Sequence, residues 1–146
     1  MIYAYLIKYT HLQQAKEQAL RQYSQVRGNV FSIEHLPNGA PQLISCGKPN
    51  GYVSVSHTDG VLAMAFSDDN VGIDIERADR KVSPKICKNI EQWTAIEAYA
   101  KWTRESLSKN IIFQRIPEDM IVTRLFGEYV ISICSKRKDI AITQLD

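Results

Sequence analysis

The run VLAMAF (61–66) most constrains the fold, because a strand alternates its side chains and this one is apolar on both faces. A strand of this kind is usually central in its sheet and covered on both sides. A length of 146 residues suits one domain with one continuous core. YVSVS (52–56) alternates before VLAMAF, HTDG (57–60) turns, and SDDN (67–70) leads into VGIDIE (71–76). Residues 52–76 therefore read as an antiparallel meander.

Around this centre, IYAYLIKY (2–9) carries strand-type residues, and HLQQAKEQALRQYSQ (about 11–25) repeats Leu12, Ala15, Ala19 and Tyr23 at helical spacing. VFSIEHL (30–36) and QLIS (42–45) read as short strands separated by the turn chemistry of PNGAP, and CGKPNG (46–51) reads as a turn. A charged connector, RADRKVSPK (77–85), precedes a long helix at about 86–108, whose Trp93, Ile96, Ala100, Thr103 and Leu107 form a stripe. MIVTRLF (120–126), EYVISICS (128–135) and DIAITQL (139–145) read as a second meander. The expected class is α+β: antiparallel meanders with a long packed helix, as one domain over 1–146, with two small halves, 1–55 and 56–146, as a subdivision.

With 45% hydrophobic and 23% charged residues the composition is that of an ordinary globular protein, and a net charge of +2 gives no reason to expect nucleic-acid binding. Cys46, Cys87 and Cys134 are odd in number and lack metal-ligand spacing, which fits reduced thiols rather than a disulfide framework. The start lacks the basic and apolar regions of a signal peptide, and no apolar run approaches the length of a membrane span. The expected location is cytoplasmic, with no membrane partner.

Within VGIDIE, Val71, Ile73 and Ile75 share one face, while Asp74 and Glu76 share the other. Two neighbouring acids repel and are costly to bury unless a positive charge sits between them. Either this strand end emerges into water or a cation binds there. Glu97 and Lys101, four apart on the long helix, are by spacing alone a helix-stabilising pair. Three carboxylates, two from a strand and one from a helix packed on it, would suit Mg²⁺. No phosphate-binding glycine loop, zinc-protease motif or nucleophile elbow is present.

SVSHTDGVLAMAFSDDNVGIDIER followed by WTAIEAYAKW resembles the 4′-phosphopantetheinyl transferase superfamily, with its Ser-His turn, Gly-[Ile/Val]-Asp-[Ile/Val]-Glu and Trp-x-x-Lys-Glu-[Ala/Ser]-x-x-Lys. GAPQL (39–43) resembles the family's Gly-Lys-Pro element, and the motif order is that of the larger, surfactin-synthetase-activating type in an unusually short chain. The resemblance implies a phosphopantetheinyl-transferase-like fold. It also implies transfer of the phosphopantetheine arm of coenzyme A to a serine of an acyl or peptidyl carrier protein, releasing 3′,5′-ADP. It assigns Asp74, Glu76 and Glu97 to Mg²⁺, Glu97 as the base, and Lys101 to the phosphate charge. Ser56 and His57 fall to coenzyme A. The basic connector, Arg80 and Lys81 above all, is expected to meet an acidic carrier. A monomer is expected, with pairing to a second chain as the alternative. Where the family has lysines, this chain has Ile96 and Ala40, and where it has Gly-x-Gly-Leu after the last lysine, RESL (104–107) stands. The alternative activity is therefore that of a non-catalytic member that binds a carrier protein or coenzyme A.

Overall fold

The computed structural model describes residues 1–104 and 116–146. Among these the chain runs β1 (Ile2–Lys8), α1 (Leu12–Arg27), β2 (Ser32–His35), β3 (Pro41–Ser45), β4 (Lys48–Pro49), β5 (Tyr52–Thr58), β6 (Val61–Ser67), β7 (Gly72–Arg77), α2 (Ile90–Thr103), β8 (Ile121–Phe126), β9 (Tyr129–Cys134) and β10 (Ile140–Leu145). The class is α+β. None of the described helices is long and apolar enough to cross a membrane.

Strand β6 is buried at every position and lies inside a four-stranded sheet of order β10-β1-β6-β5. Its Leu62, Met64 and Phe66 face α1, where Ala15, Ala19 and Tyr23 close over them, and the Tyr23 and Phe66 rings stack at 4.5 Å. Its Ala63 and Ala65 face Ile73, Ile75, Ile131 and Ile133 of a second sheet, ordered β7-β9-β8. The small alanines on that side let the two sheets approach, with the isoleucines filling the space between them. On the far side of the second sheet lies α2, which packs on β7 and β9. The order of layers is thus helix, sheet, sheet, helix. Strands β2, β3 and β4 form a separate three-stranded antiparallel sheet, so CGKPNG holds a short strand as well as a turn.

Both expected meanders are only half right, for one reason: the middle strand in each has no free edge left. Strand β6 pairs antiparallel with β1 and with β5, so β7 joins β9 instead. Strand β9 is flanked by β7 and β8, so β10 crosses to the open edge of β1 and pairs with it in parallel. The Met1 ammonium and Asp139 carboxylate, 3.0 Å apart, pin the start of that pairing. Residue 56, where two halves were expected to meet, lies inside β5, and segments from both sides of it share the four-stranded sheet.

The long helix is shorter than its stripe suggests. Asn89 caps it, its Oδ1 accepting from Gln92 N at 2.9 Å, so residues 86–88 precede the helix rather than belong to it. It ends at Arg104, which takes a left-handed conformation with φ 63°. Leu107, the expected last residue of the stripe, lies outside the described residues.

Candidate metal centre

The site is made where α2 crosses β7. Gly72, Asp74 and Glu76 form the face of β7 opposite the isoleucines, and Gly72 lies directly under the α2 backbone. A Cβ built there would sit 2.7 Å from Trp102 N and closer still to the Ala98 carbonyl oxygen. The glycine of VGIDIE therefore sets how near the helix comes to the strand, and with it how near Glu97 comes to the strand acids.

At that distance one carboxylate oxygen from each of Asp74, Glu76 and Glu97 lies within 4.8 Å of the others. Asp74 is 2% exposed and Glu76 8%. The Oδ1 of Asp74 is well supplied with donors: the Ser56 hydroxyl at 2.9 Å and Lys101 Nζ at 3.4 Å. Its Oδ2 is buried and meets no donor. A buried carboxylate oxygen without a donor either keeps a proton or meets a cation. Hard oxygen donors in this number fit a divalent cation such as Mg²⁺ better than a soft metal.

Burial, the neighbouring Glu97 and the more distant Glu76 push the Asp74 carboxyl up to about 8, with Lys101 acting against them. The surroundings account for that retained proton. Lys101 lies beside Asp74, and Arg80 Nη1 reaches Glu76 Oε1 at 2.7 Å. Three carboxylates and two cations leave one negative charge, which a proton on Asp74 cancels and a divalent ion would more than replace.

This has a pH consequence. An unfolded Asp74 titrates at 3.8, and the folded one at about 8. Between those values the folded chain holds a proton that the unfolded chain has released, so metal-free stability falls as pH rises through the interval and levels off above it. Thermal melts in chelator should show a lower Tm at pH 8.5 than at pH 6, and Asp74→Asn should flatten the difference. A wild-type Tm that does not fall over that range would contradict the buried, protonated Asp74.

No known protein-family model and no curated protein matches the chain.

The other residues singled out in the sequence divide. Ser56 is at the acids, but as part of a seam: its Oγ donates to Asp74 and accepts from Ile75 N, and Ser54 Oγ accepts from Ile73 N. These hydroxyls join the edge of β5 to the edge of β7 where the two strands have no ladder of their own. Lys101 completes the seam by donating to Val55 O and Ile73 O, both at 3.0 Å, as well as to Asp74. An ammonium has three protons, so all its donors are used inside the protein. His57 is exposed, alternates to the other face from Ser56, and meets the Tyr9 hydroxyl at 3.3 Å. Lys81 is exposed, while Arg80 is tied to Glu76. The seam was readable in part, since YVSVS places Ser54 and Ser56 on one face of a strand. Arg80 at i+4 from Glu76 carried no such signal, because the strand has ended by then.

Ile96, which stands where the family has a lysine, is 3% exposed and packs with Cys87 and Ala100, with Trp93 at the margin. Its side chain belongs to that cluster, one position round the helix from Glu97. Ile96→Lys should therefore cost about 2–4 kcal/mol in denaturant unfolding. A variant as stable as wild type would show that position 96 reaches solvent or the acids.

Proposed function

We propose that the protein is a Mg²⁺-dependent phosphopantetheinyl transferase that modifies a serine of an acyl or peptidyl carrier protein from coenzyme A. The observations that carry this reading are the convergence of Asp74, Glu76 and Glu97 and a buried Asp74 carboxylate oxygen that lacks a donor. The ordered motifs GAPQL, SVSHTD, GIDIE and WTAIEAYAK support the choice of reaction.

In this reading Asp74, Glu76 and Glu97 would hold the ion, which when bound would neutralise phosphoryl oxygens of the pyrophosphate. Glu97 is half-buried at the rim of the cluster and takes the proton of the incoming serine hydroxyl, directly or through water. The serine oxygen then forms its bond to phosphorus as the bond to 3′,5′-ADP breaks. Lys101 contributes charge and holds Asp74 in place rather than donating to the phosphate. Arg80 borders the acids through Glu76 and the exposed Lys81 follows it on the connector, so an acidic carrier would meet basic residues of that segment.

The full internal use of the Lys101 donors favours a second reading, a non-catalytic binder of carrier protein or coenzyme A. Mass spectrometry of apo carrier proteins incubated with the protein, coenzyme A and Mg²⁺ separates the two. Gain of one phosphopantetheine per carrier, absent in Glu97→Gln, is the expected result. Binding of coenzyme A or carrier with no mass gain on any apo carrier would favour the second reading.

A further inference from the structure

Arg104 is an unusual residue to end a helix. Its φ of 63° is the left-handed conformation that favours glycine, and it stands where the resembling family has a glycine. Its side chain turns into a groove of about 480 Å³ that runs between α2 and the edge of β5, with Ala40, Pro41, Val53, Val55 and Ala100 as apolar walls. The guanidinium is positioned from two sides: Nε donates to Asn70 Oδ1 at 3.3 Å, and the group lies 5.6 Å from the centre of the Tyr52 ring. Asn70 is itself fixed by donating through Nδ2 to Trp102 O. Among the described residues no carboxylate pairs with Arg104, and burial lowers its pKa. A partly desolvated cation that is held from two sides and, among the described residues, has no counter-charge is set up for an anion that comes from outside.

We infer that this groove is a subsite for a phosphate monoester attached to an apolar or aromatic group, with Arg104 as the residue that binds the phosphate. The walls suit the organic part, and the guanidinium offers paired N–H groups to phosphate oxygens. Lys101 lines both this groove and the acid cluster, so one ligand can span the two. Resting on the transferase proposal, the ligand is the nucleotide end of coenzyme A, and Arg104 supplies the cation that Ala40, on the same groove, does not.

The probe is 3′,5′-ADP, titrated without metal into the wild type, Arg104→Gln and Arg104→Gly. The wild type should bind it, and both variants should lose about tenfold or more in affinity, a typical effect of one charged phosphate contact. Because glycine relieves the positive φ, Arg104→Gly should lose affinity without losing Tm. Failure of the wild type to bind 3′,5′-ADP, or equal affinity in the variants, would overturn the subsite. If the nucleotide binds through Arg104 but no carrier protein is modified with coenzyme A and Mg²⁺, the subsite stands and the transferase proposal falls. If carriers are modified and Arg104→Gly binds 3′,5′-ADP like wild type, the reverse holds.

Discussion

With a divalent ion held as proposed, Asp74→Asn should abolish its binding while leaving the fold intact. The buried carboxyl keeps its proton up to about pH 8, so an amide of the same shape reproduces its metal-free form. The amide oxygen of the variant can still accept from Ser56, and the amide nitrogen supplies the donor that faces the other acids. The amide cannot become an anion, and it removes one of three ligands. Loss of an outer-shell partner typically weakens metal binding by about 10–100-fold, so loss of a ligand should exceed about a hundredfold. Glu97→Gln should behave alike in binding. Both are read by the Mg²⁺ dependence of Tm at pH 8.5, where the wild type should gain stability with added ion and the variants should not. A wild-type-like gain in Asp74→Asn would mean that any bound ion sits elsewhere.

Gly72→Ala is the second large effect, and it acts through distance alone. The added Cβ would fall 2.7 Å from Trp102 N and inside contact range of the Ala98 carbonyl, both backbone atoms of α2. Neither is the end of a flexible side chain, so the helix as a whole must move off β7. Overpacking of this kind costs about 1–3 kcal/mol and more where backbone is met. The larger consequence is functional, because α2 carries Glu97 and Lys101 away from the strand acids. The variant should lose Tm and, when it folds, bind Mg²⁺ far more weakly than its residual stability would suggest. Normal metal affinity in a folded Gly72→Ala protein would show that the close approach of helix and strand does not set the acid cluster.

Much of this arrangement could be read from local pattern. The apolar run of β6 announced a central strand, the alternation of VGIDIE put Asp74 and Glu76 on one face, and helical spacing placed Glu97 with Lys101. What escaped were choices between distant partners. Whether β7 joins β6 or β9 depends on which edges are open, and the sequence of β7 is the same in either case. The same holds for β10, whose parallel place beside β1 has no local signal. The roles of Ser56 and Lys101 changed for a related reason. A serine and a lysine near acids suggest ligand contacts, yet two sheet edges meet there and use both side chains to satisfy backbone groups. Arg104 was visible as a departure from glycine, but only the groove it enters gives that departure a purpose.

The proposed divalent-ion site draws one carboxylate each from Asp74 and Glu76 on β7 and Glu97 on α2. Mn²⁺ can stand in for Mg²⁺ and scatters X-rays anomalously, so a crystal of the wild-type protein grown at pH 8.5 with Mn²⁺ tests it directly. One strong anomalous peak is expected within bonding distance of Asp74, Glu76 and Glu97, and none there in Asp74→Asn crystals. A crystal saturated with Mn²⁺ that shows no peak there, with Arg80 still on Glu76, would rule the site out.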